Sequence, residues 1–475
     1  MKTEKYTLVT GDSRAVIPGS LFVAVKGHAA DGHRYVRDAV EKGATAVIYE
    51  DEDALREVID KNSAGDVEFI KVDNTRKALA EAADEFYGHP SRSLTLVGIT
   101  GTNGKTTTVT LLYNLFRRMG YKCGLLSTIA NFVDDKRTEA VNTTSDPVTI
   151  NRLMREMVDC GCKYCFMEVS SIGIEQDRVH ALYFNVGIFS NLTHDHLDYH
   201  GTFSEYLRCK KLFFDNLPAG SVAITNIDDK NGMIMMQNTP ARVVTYSCRR
   251  MADHSCKILE QSFEGMLLKI DGTQLWCPLI GEHNAYNALA IYSTAVELGA
   301  AKEDVLVGLS DIGQVKGRLE VMRNKDGRCV VIDYAHTDDA MENVLKTLRA
   351  IAPSRTLTCL FGCGGDRDKT KRPEMGRCAS TLADRVIITS DNSRTEKTID
   401  IISDIKAGIE PRQMKKVICI EDRREAIRMA IITAAENETV VLCGKGHEDY
   451  QILGTEKRHF DEREVVSEVF NELNV

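Results

Sequence analysis

Residues 93–120 read SLTLVGITGTNGKTTTVTLLYNLFRRMG, and the reading of this stretch decides the fold. An apolar run passes through a glycine-rich turn into a segment where Val109, Leu112, Phe116 and Met119 recur at helical spacing, with Gly120 placed to end the helix. A strand that turns through glycines directly into a helix is the local form of a phosphate loop. Gly101 and Gly104 let the backbone aim N–H groups at a phosphate, Lys105 supplies a positive charge, and Thr106 offers a hydroxyl to Mg2+ at the helix start. Thr102, Asn103 and Thr107 complete the turn. The usual GxxxxGK[ST] spacing is not kept, because position 99 is Ile and Gly98 falls one place too early. This is therefore a variant loop in the correct strand–helix setting, and it predicts ATP binding.

Outward from the loop, GLLST, YCFMEV, NVGIFSNL and SVAITN read as strands alternating with helical stretches. After GRLEVM at 317–322 a second series begins, with strands in CVVIDYAHT, LTCLFGCGG, RVIITSDNS, KVICIED and TVVLCGKGHE. Before the loop, SLFVAVKG and ATAVIYE suggest a small α/β region, closed by the linker YGHPSRS at 87–93. The expected fold is α/β with three domains. Residues 1–89 form a small N-terminal α/β domain, 90–317 a central P-loop ATPase-like parallel-sheet domain, and 318–475 a C-terminal Rossmann-like domain.

Composition bounds the function. The chain has 475 residues, 43% of them hydrophobic, enough for several cores. Lys and Arg number 60 against 69 Asp and Glu, a net charge of -9 that excludes a general nucleic-acid binder. No apolar run approaches the roughly 18 residues of a membrane span, and the N-terminus lacks the apolar core of a signal peptide. The expectation is a cytoplasmic protein with no membrane insertion, whose 14 Cys are reduced thiols. The CxxC of Cys162 and Cys165 lies in a strand-like run with no second ligand pair, so it reads as structural.

Two further clusters carry chemistry. Glu168 ends the strand CFMEV, at the edge of an open α/β sheet where ligands collect. Beyond the next strand, SNLTHDHLDYHG packs His194, Asp195, His196, Asp198 and His200 together. A solvated polar loop would hold any one of these. As a group, hard carboxylates and imidazoles, taken with Thr106, suit Mg2+ or Mn2+ bound with ATP better than a separate zinc site.

With GTNGKTT, MEVSS, NLTHDHLDYHG and YLRCK in order, followed by GEHNAYNALA, GRLE, DYAH, FGCGGDRDKTKRPEMG and GKGHEDYQ, the chain resembles the Mur ligases. It most closely resembles the branch that adds a diamino acid as third residue, commonly meso-diaminopimelate. The resemblance runs from DSR at 12–14 to GKGHE at 444–448. It implies an ATP-dependent ligase of peptidoglycan precursor and cell-wall synthesis. In such an enzyme ATP phosphorylates the carboxylate of UDP-MurNAc-L-Ala-D-Glu, an amine attacks the acyl phosphate, and ADP and phosphate leave. The implied cofactors are ATP and Mg2+. The implied partners are the UDP-MurNAc-dipeptide and a diamino acid, with no nucleic acid, and the protein is expected to be a monomer.

The resemblance also assigns roles. Lys105, Glu168, His196 and Lys210 are catalytic, and Thr106, Glu168, His196 and Lys210, the last as a carbamate, hold metal. ATP meets Gly101, Thr102, Asn103, Gly104, Lys105, Thr106, Thr107, Asn287, Arg318 and Asp333. The UDP substrate meets Ser13, His28, Ala29, Ala30, Thr143, Thr144, Ser170, Gln176 and Arg178. The amino acid meets Arg367, Asp391, Asn392, Ser393, Arg394, Gly444 and Glu448. Helical spacing does not separate Lys210 from Lys211; motif register alone picks Lys210. Arg367 and Arg394 would grip a distal carboxylate and Glu448 the distal amine, which disfavours lysine as substrate.

Three positions depart from the family pattern. Ser393 replaces a usual Pro and frees the loop backbone before Arg394. Ile172 replaces a usual His and removes a polar group beside the substrate stretch. Asp338 replaces a Pro at a helix start, where Asp caps well. The competing readings are the same chemistry with L-lysine or another diamino acid, a folylpolyglutamate-synthetase-like ligase, and a non-catalytic nucleotide-binding relative.

Overall fold

The computed structural model describes residues 2–27, 30–61, 66–193 and 197–473. They fall into two compact units, Met1–Ser255 with Asn287–Gly308, and Cys256–Tyr286 with Leu309–Val475.

The first unit begins with a four-stranded parallel sheet, β1 (Val9–Thr10), β2 (Leu21–Val23), β3 (Ala46–Tyr49) and β4 (Glu68–Lys71), in that spatial order. The inner strands β2 and β3 are short and continuously apolar because both faces are covered. Phe22 and Val47 pack to one face, Leu21, Val23, Ala46 and Ile48 to the other. The helix Thr75–Phe86, capped by the Asn74 side chain, covers the second face with Ala78, Leu79 and Ala82.

The larger sheet of this unit is built from β5 (Thr95–Thr100), β6 (Cys123–Leu126), β7 (Asn131–Val133), β8 (Lys136–Thr138), β9 (Tyr164–Glu168), β10 (Val186–Phe189), β11 (Val222–Asn226) and β12 (Arg242–Ser247). Its spatial order is β12-β11-β10-β5-β9-β6-β7-β8, parallel except for the β6-β7-β8 edge. β5 is central, with β10 and β9 on either side. The loops after β5, β9 and β10 therefore leave the same sheet edge, where ligands bind in open parallel sheets. Both expected structural cysteines, Cys162 and Cys165, are buried; burial pushes the Cys162 thiol up to about 12.

The second unit holds the antiparallel meander of β13 (His254–Ser262), β14 (Gly265–Ile270) and β15 (Thr273–Cys277), of which the first two residues of β13 belong to the other unit. Its main sheet comprises β16 (Glu320–Arg323), β17 (Cys329–Asp333), β18 (Thr356–Phe361), β19 (Arg385–Ile388), β20 (Val417–Cys419) and β21 (Glu438–Cys443), ordered β16-β17-β21-β18-β19-β20. Only β16 is antiparallel. Alternation along β21 sends Val441 and Cys443 into one core and Val440 and Leu442 into the other. The helices Asp338–Ile351, Lys371–Leu382 and Thr398–Lys406 cover the first face, and Arg423–Ile432 and Glu462–Leu473 the second. Fully burying each such Val or Leu contributes about 1.5–3 kcal/mol, offset by chain ordering. This is a Rossmann-like sheet, and the fold as a whole is α/β with the three expected sheet regions.

One local expectation needs refinement. Asp338 is the first residue of its helix, but the capping side chain is Thr337, whose Oγ1 accepts from Ala340 N at 3.3 Å. Asp338 instead adds negative charge to the positive end of the helix.

Candidate functional site

The first unit assembles the phosphate loop on the central strand. Gly101 has φ +155° and Gly104 φ +85°, and neither tolerates a side chain. A Cβ on Gly101 would lie 1.9 Å from Ser190 Oγ, and one on Gly104 2.5 Å from Asn287 Oδ1. The loop is braced from β10's end. Thr102 N donates to Asn191 O and Asn103 N to Asn191 Oδ1, both at 2.9 Å, while Ser190 Oγ donates to Asn103 O at 2.7 Å. Thr102 Oγ1 lies 3.1 Å from the Tyr206 hydroxyl. Lys105, the first helical residue, donates to Gly101 O and Thr102 O, each at 2.8 Å. Asn287, by its position against Gly104 and 3.5 Å from Thr108 Oγ1, closes the far side of the turn.

Two buried charged groups stand beside the loop. Lys210 Nζ donates to Gly101 O at 2.8 Å and lies 4.7 Å from the Tyr206 ring centroid. Its neighbour Lys211 instead pairs with Asp215 away from the loop, so the structure separates two lysines that spacing alone leaves equivalent. Glu168 is fully buried at the end of β9. Its Oε1 accepts from Thr128 N at 2.8 Å, and its Oε2 has no hydrogen-bond partner. A buried carboxylate oxygen left open is costly unless a cation or donor arrives, so Glu168 with the Thr106 hydroxyl fits a hard divalent ion. Among the described residues no group of three or more His, Cys, Asp or Glu forms a ready metal cage. His194, Asp195 and His196 lie outside the described residues, as do His28 and Ala29.

The expected UDP-substrate residues of the middle region form one network. Thr144 Oγ1 donates to Glu168 O at 2.9 Å and accepts from Ser170 N at 2.9 Å. Ser170 Oγ caps the short helix Ser171–Glu175, and Thr143 Oγ1 accepts from Thr128 Oγ1 at 3.2 Å. Arg178 donates to Thr144 O at 2.6 Å and to Gln176 Oε1 at 2.7 Å. Gln176 donates to the Tyr199 hydroxyl, which donates to Glu175 at 2.6 Å. Burial and Glu175 push the Tyr199 phenol up to about 12. Ile172 sits on this helix between Ser171 and Gly173, half-buried. His200, at a motif position, reaches Ser171 Oγ at 2.9 Å instead of standing in solvent.

In the N-terminal region, Lys26, Gly27, Glu50, Asp73, Asn74 and Arg76 line a cavity of about 370 Å3. Gly27 N donates to Ala30 O at 3.0 Å, so exposed Ala30 belongs to the turn at its edge. Arg76 bonds Glu175 at 3.2 Å and ties this cavity to the Gln176–Tyr199 network. Ser13 lies in the loop after β1, its carbonyl accepting from Lys42 Nζ. Sequence reasoning missed Asn191, Tyr206, Glu175 and Arg76; only the first two stand in motifs that drew attention.

In the second unit, three loops leave the carboxyl ends of β18, β19 and β21. Asn392 Nδ2 and Lys445 Nζ both donate to Glu448 Oε2, at 2.9 and 3.0 Å. Lys445 is fully buried and lies 3.8 Å from Asp391 Oδ1. A Cβ on Gly444, φ +112°, would meet Asp391 Oδ2 at 2.8 Å. Arg394, at φ +49°, donates to Gly365 O at 2.8 Å and to Asn392 O at 3.3 Å. Buried Ser393 precedes it; the backbone there is held by Gly365 N to Asn392 O and by Ile452 N to Asn392 Oδ1, both 2.9 Å. Arg367 is exposed, on the loop after β18. Thus Asp391, Asn392, Ser393, Arg394, Gly444 and Glu448 come together with Lys445, which the sequence reading passed over inside its own GKGHE motif.

Arg318 and Asp333 are neighbours in this unit. Both Asp333 oxygens accept from backbone, Leu319 N at 2.7 Å and Ala335 N at 2.8 Å, and burial raises its pKa. Asp333 so pins the turn that holds Arg318 over the Tyr334 ring, 5.0 Å from its centroid. His447 packs on the same ring at 4.7 Å, its Nδ1 buried without a hydrogen bond. Burial, then Arg318 and Arg463, push it down to about 3; burial takes His283 of the same unit to about 4.

These depressed values fix a sign. Between pH about 6.5 and 3 the unfolded chain binds protons that the folded imidazoles refuse. The stability they allow is complete above pH 6.5 and is lost as pH falls toward those folded values. Thermal midpoints measured from pH 7 to 4 should fall more steeply for the wild type than for His447→Asn. Parallel profiles would contradict the burial of a neutral imidazole.

Family models match three successive segments: "Mur ligase family, catalytic domain" at 5–87, "Mur ligase middle domain" at 99–295, and "Mur ligase, glutamate ligase domain" at 317–446. A Parabacteroides distasonis protein, UDP-N-acetylmuramoyl-L-alanyl-D-glutamate–2,6-diaminopimelate ligase, is 48% identical over 466 residues, 98% of this chain and 94% of that one. A solved structure of a ligase with the same name aligns at 30% identity and TM-score 0.71, covering 99% of this chain and 96% of that chain. At 19% identity, the Thermotoga maritima MurF ligase in complex with ADP shares the fold, with TM-score 0.66 over 100% of this chain and 99% of that chain. The chain belongs to the Mur ligase family.

Proposed function

We propose that this protein ligates meso-diaminopimelate to UDP-N-acetylmuramoyl-L-alanyl-D-glutamate in peptidoglycan precursor synthesis, using ATP and Mg2+. The observation that carries the reading is the likeness, over nearly the whole of both chains, to a ligase of that name. It is supported by a phosphate loop and an open buried carboxylate on neighbouring strand ends of one sheet.

The chemistry must bring two anions together, the γ-phosphate and a substrate carboxylate, so positive charge has to be in place beforehand. Lys105 and the N–H groups of the loop and helix start take the ATP phosphates, with Gly101 to Thr107 as the cradle. Thr106 and Glu168 would hold Mg2+, which supplies charge neutralisation at the transferring phosphoryl group. His196 belongs to the same proposed set. Lys210, held on Gly101 O, would join as a ligand only as a carbamate, formed when its ammonium gives up a proton and the neutral amine then adds CO2 with loss of a second proton.

Asn287, Arg318 and Asp333 are the remaining proposed ATP residues, Asp333 acting by fixing the turn that carries Arg318. The UDP substrate is assigned to Ser13, His28, Ala29, Ala30, Thr143, Thr144, Ser170, Gln176 and Arg178. Residues 1–89, 90–317 and 318–475 thus serve UDP-substrate recognition, ATP chemistry and amine binding in turn. Among the described residues no helix is long and apolar enough to cross a membrane. A cytoplasmic monomer is part of the same proposal.

The amine pocket is assigned to Arg367, Asp391 to Arg394, Gly444 and Glu448. Arg394 offers a guanidinium to a distal carboxylate, and Glu448 a carboxylate to the distal amine. Phosphate release with ATP and UDP-MurNAc-L-Ala-D-Glu tests it. The rate with meso-diaminopimelate should exceed that with L-lysine by at least about 100-fold, because lysine brings no carboxylate to the guanidinium of Arg394. Preference for lysine, or a requirement for a folate, would overturn the assignment.

A further inference from the structure

Beneath the proposed amine loops lies an ion pair that no substrate role explains. Arg423 opens the helix Arg423–Ile432, Glu462 opens the helix Glu462–Leu473, and neither side chain has any exposure. Arg423 Nε donates to Glu462 Oε1 at 2.9 Å, with the second nitrogen, Nη2, 2.8 Å from the same oxygen. The fork then reaches the carboxyl ends of two strands that are not adjacent in the sheet, the loop just after β19 and the last residue of β21, with β18 between them. Nη1 donates at 3.0 Å to Ser390 O, the carbonyl just before Asp391. Nη2 donates at 2.8 Å to Cys443 O, the carbonyl just before Gly444.

Burying two charges for packing alone is a poor bargain, since apolar residues of like volume would hold the helices as well. What apolar residues cannot do is hold two carbonyls at a set separation. The planar guanidinium does so with fixed donor directions, which a lysine ammonium lacks. From those two carbonyls the chain continues into Asp391, Asn392 and Arg394 on one side and Lys445 and Glu448 on the other. The spacing of Asn392 from Glu448, 2.9 Å between side chains, is therefore set from below.

We propose that Arg423, oriented by Glu462, is a positioning residue that sets the separation of the two loops binding the incoming amino acid, and so governs the affinity for that substrate. The inference rests on the reading of these loops as the amine pocket. It is tested on the full-length protein with two variants. Arg423→Lys keeps the charge and loses the fork. The double variant Arg423→Met with Glu462→Leu removes both charges together, so that neither is left buried and unpaired.

KM for meso-diaminopimelate should rise at least about tenfold in both, while kcat at saturating amine, KM for ATP and KM for the UDP substrate change less than about threefold. A residue that served only packing would lower the thermal midpoint and leave the amine KM in place. Either folded variant with an unchanged amine KM overturns the proposal, as does an equal rise in all three KM values. Should one variant not fold, the other decides. If the wild type itself fails to use meso-diaminopimelate, the pocket reading fails first, and that arm is measured separately.

Discussion

Lys105→Met is expected to lower phosphate release about 100-fold or more, the usual loss when a preorganised charge is removed from a transferring group. Methionine keeps an unbranched apolar side chain one atom shorter than that of lysine, and both residues are good helix formers at the first position of Lys105–Arg118. The thermal midpoint should therefore move by no more than a few degrees. The two carbonyls that Lys105 now satisfies, Gly101 O and Thr102 O, belong to a loop braced independently by Ser190, Asn191 and Tyr206. Gly101 O keeps a donor in Lys210. The loss should thus fall on turnover and ATP binding, not on folding. A variant retaining a third of the activity would remove Lys105 from the chemistry.

The second large effect is expected at Glu168→Gln. Oε1 is engaged with Thr128 N, so the amide must keep its oxygen there and turn its NH2 to where Oε2 now lies. A donor with partial positive charge then replaces an open carboxylate oxygen at the proposed cation position. Activity at fixed ATP should fall about 100-fold and be partly regained at high Mg2+, because a weakened site fills by mass action. Binding of Mg2+ followed by calorimetry in the presence of a nonhydrolysable ATP analogue gives a readout independent of turnover. A wild-type Mg2+ dependence in the folded variant would mean that Glu168 is a structural anchor for Thr128 alone.

The two predictions separate charge supplied by the loop from charge supplied by a metal. Glu168 ends β9 and Lys105 opens the helix that follows β5; the two strands are adjacent in fixed register, Ile99 opposite Glu168, which makes the pair a property of the sheet and not of either motif.

The same division runs through the whole protein. Local pattern alone determined the strand–turn–helix of 95–118, the apolar strands on either side, and the helix stop at Gly120, because each depends on residues within a few positions of one another. Chemistry concentrated in short motifs was equally legible: Lys105 and Glu168 declare themselves by residue type at strand ends. A charge count of -9 excluded nucleic acid as the default partner but described none of the local cationic groups.

What only the tertiary structure decided is which distant groups meet. Spacing left Lys210 and Lys211 equivalent; packing against β5 put one on Gly101 O and the other on Asp215. Lys445 drew no role from the GKGHE motif, and it is β21 that carries it beside Asn392 and Asp391. Nothing local to Arg423 or Glu462 pairs them, and they are a buried pair only because both helices cover the same face. The physical reason is that a parallel sheet brings together strand ends dozens of residues apart. Its order is chosen by burial of both faces at once, a sum over the whole chain that no single stretch of sequence contains.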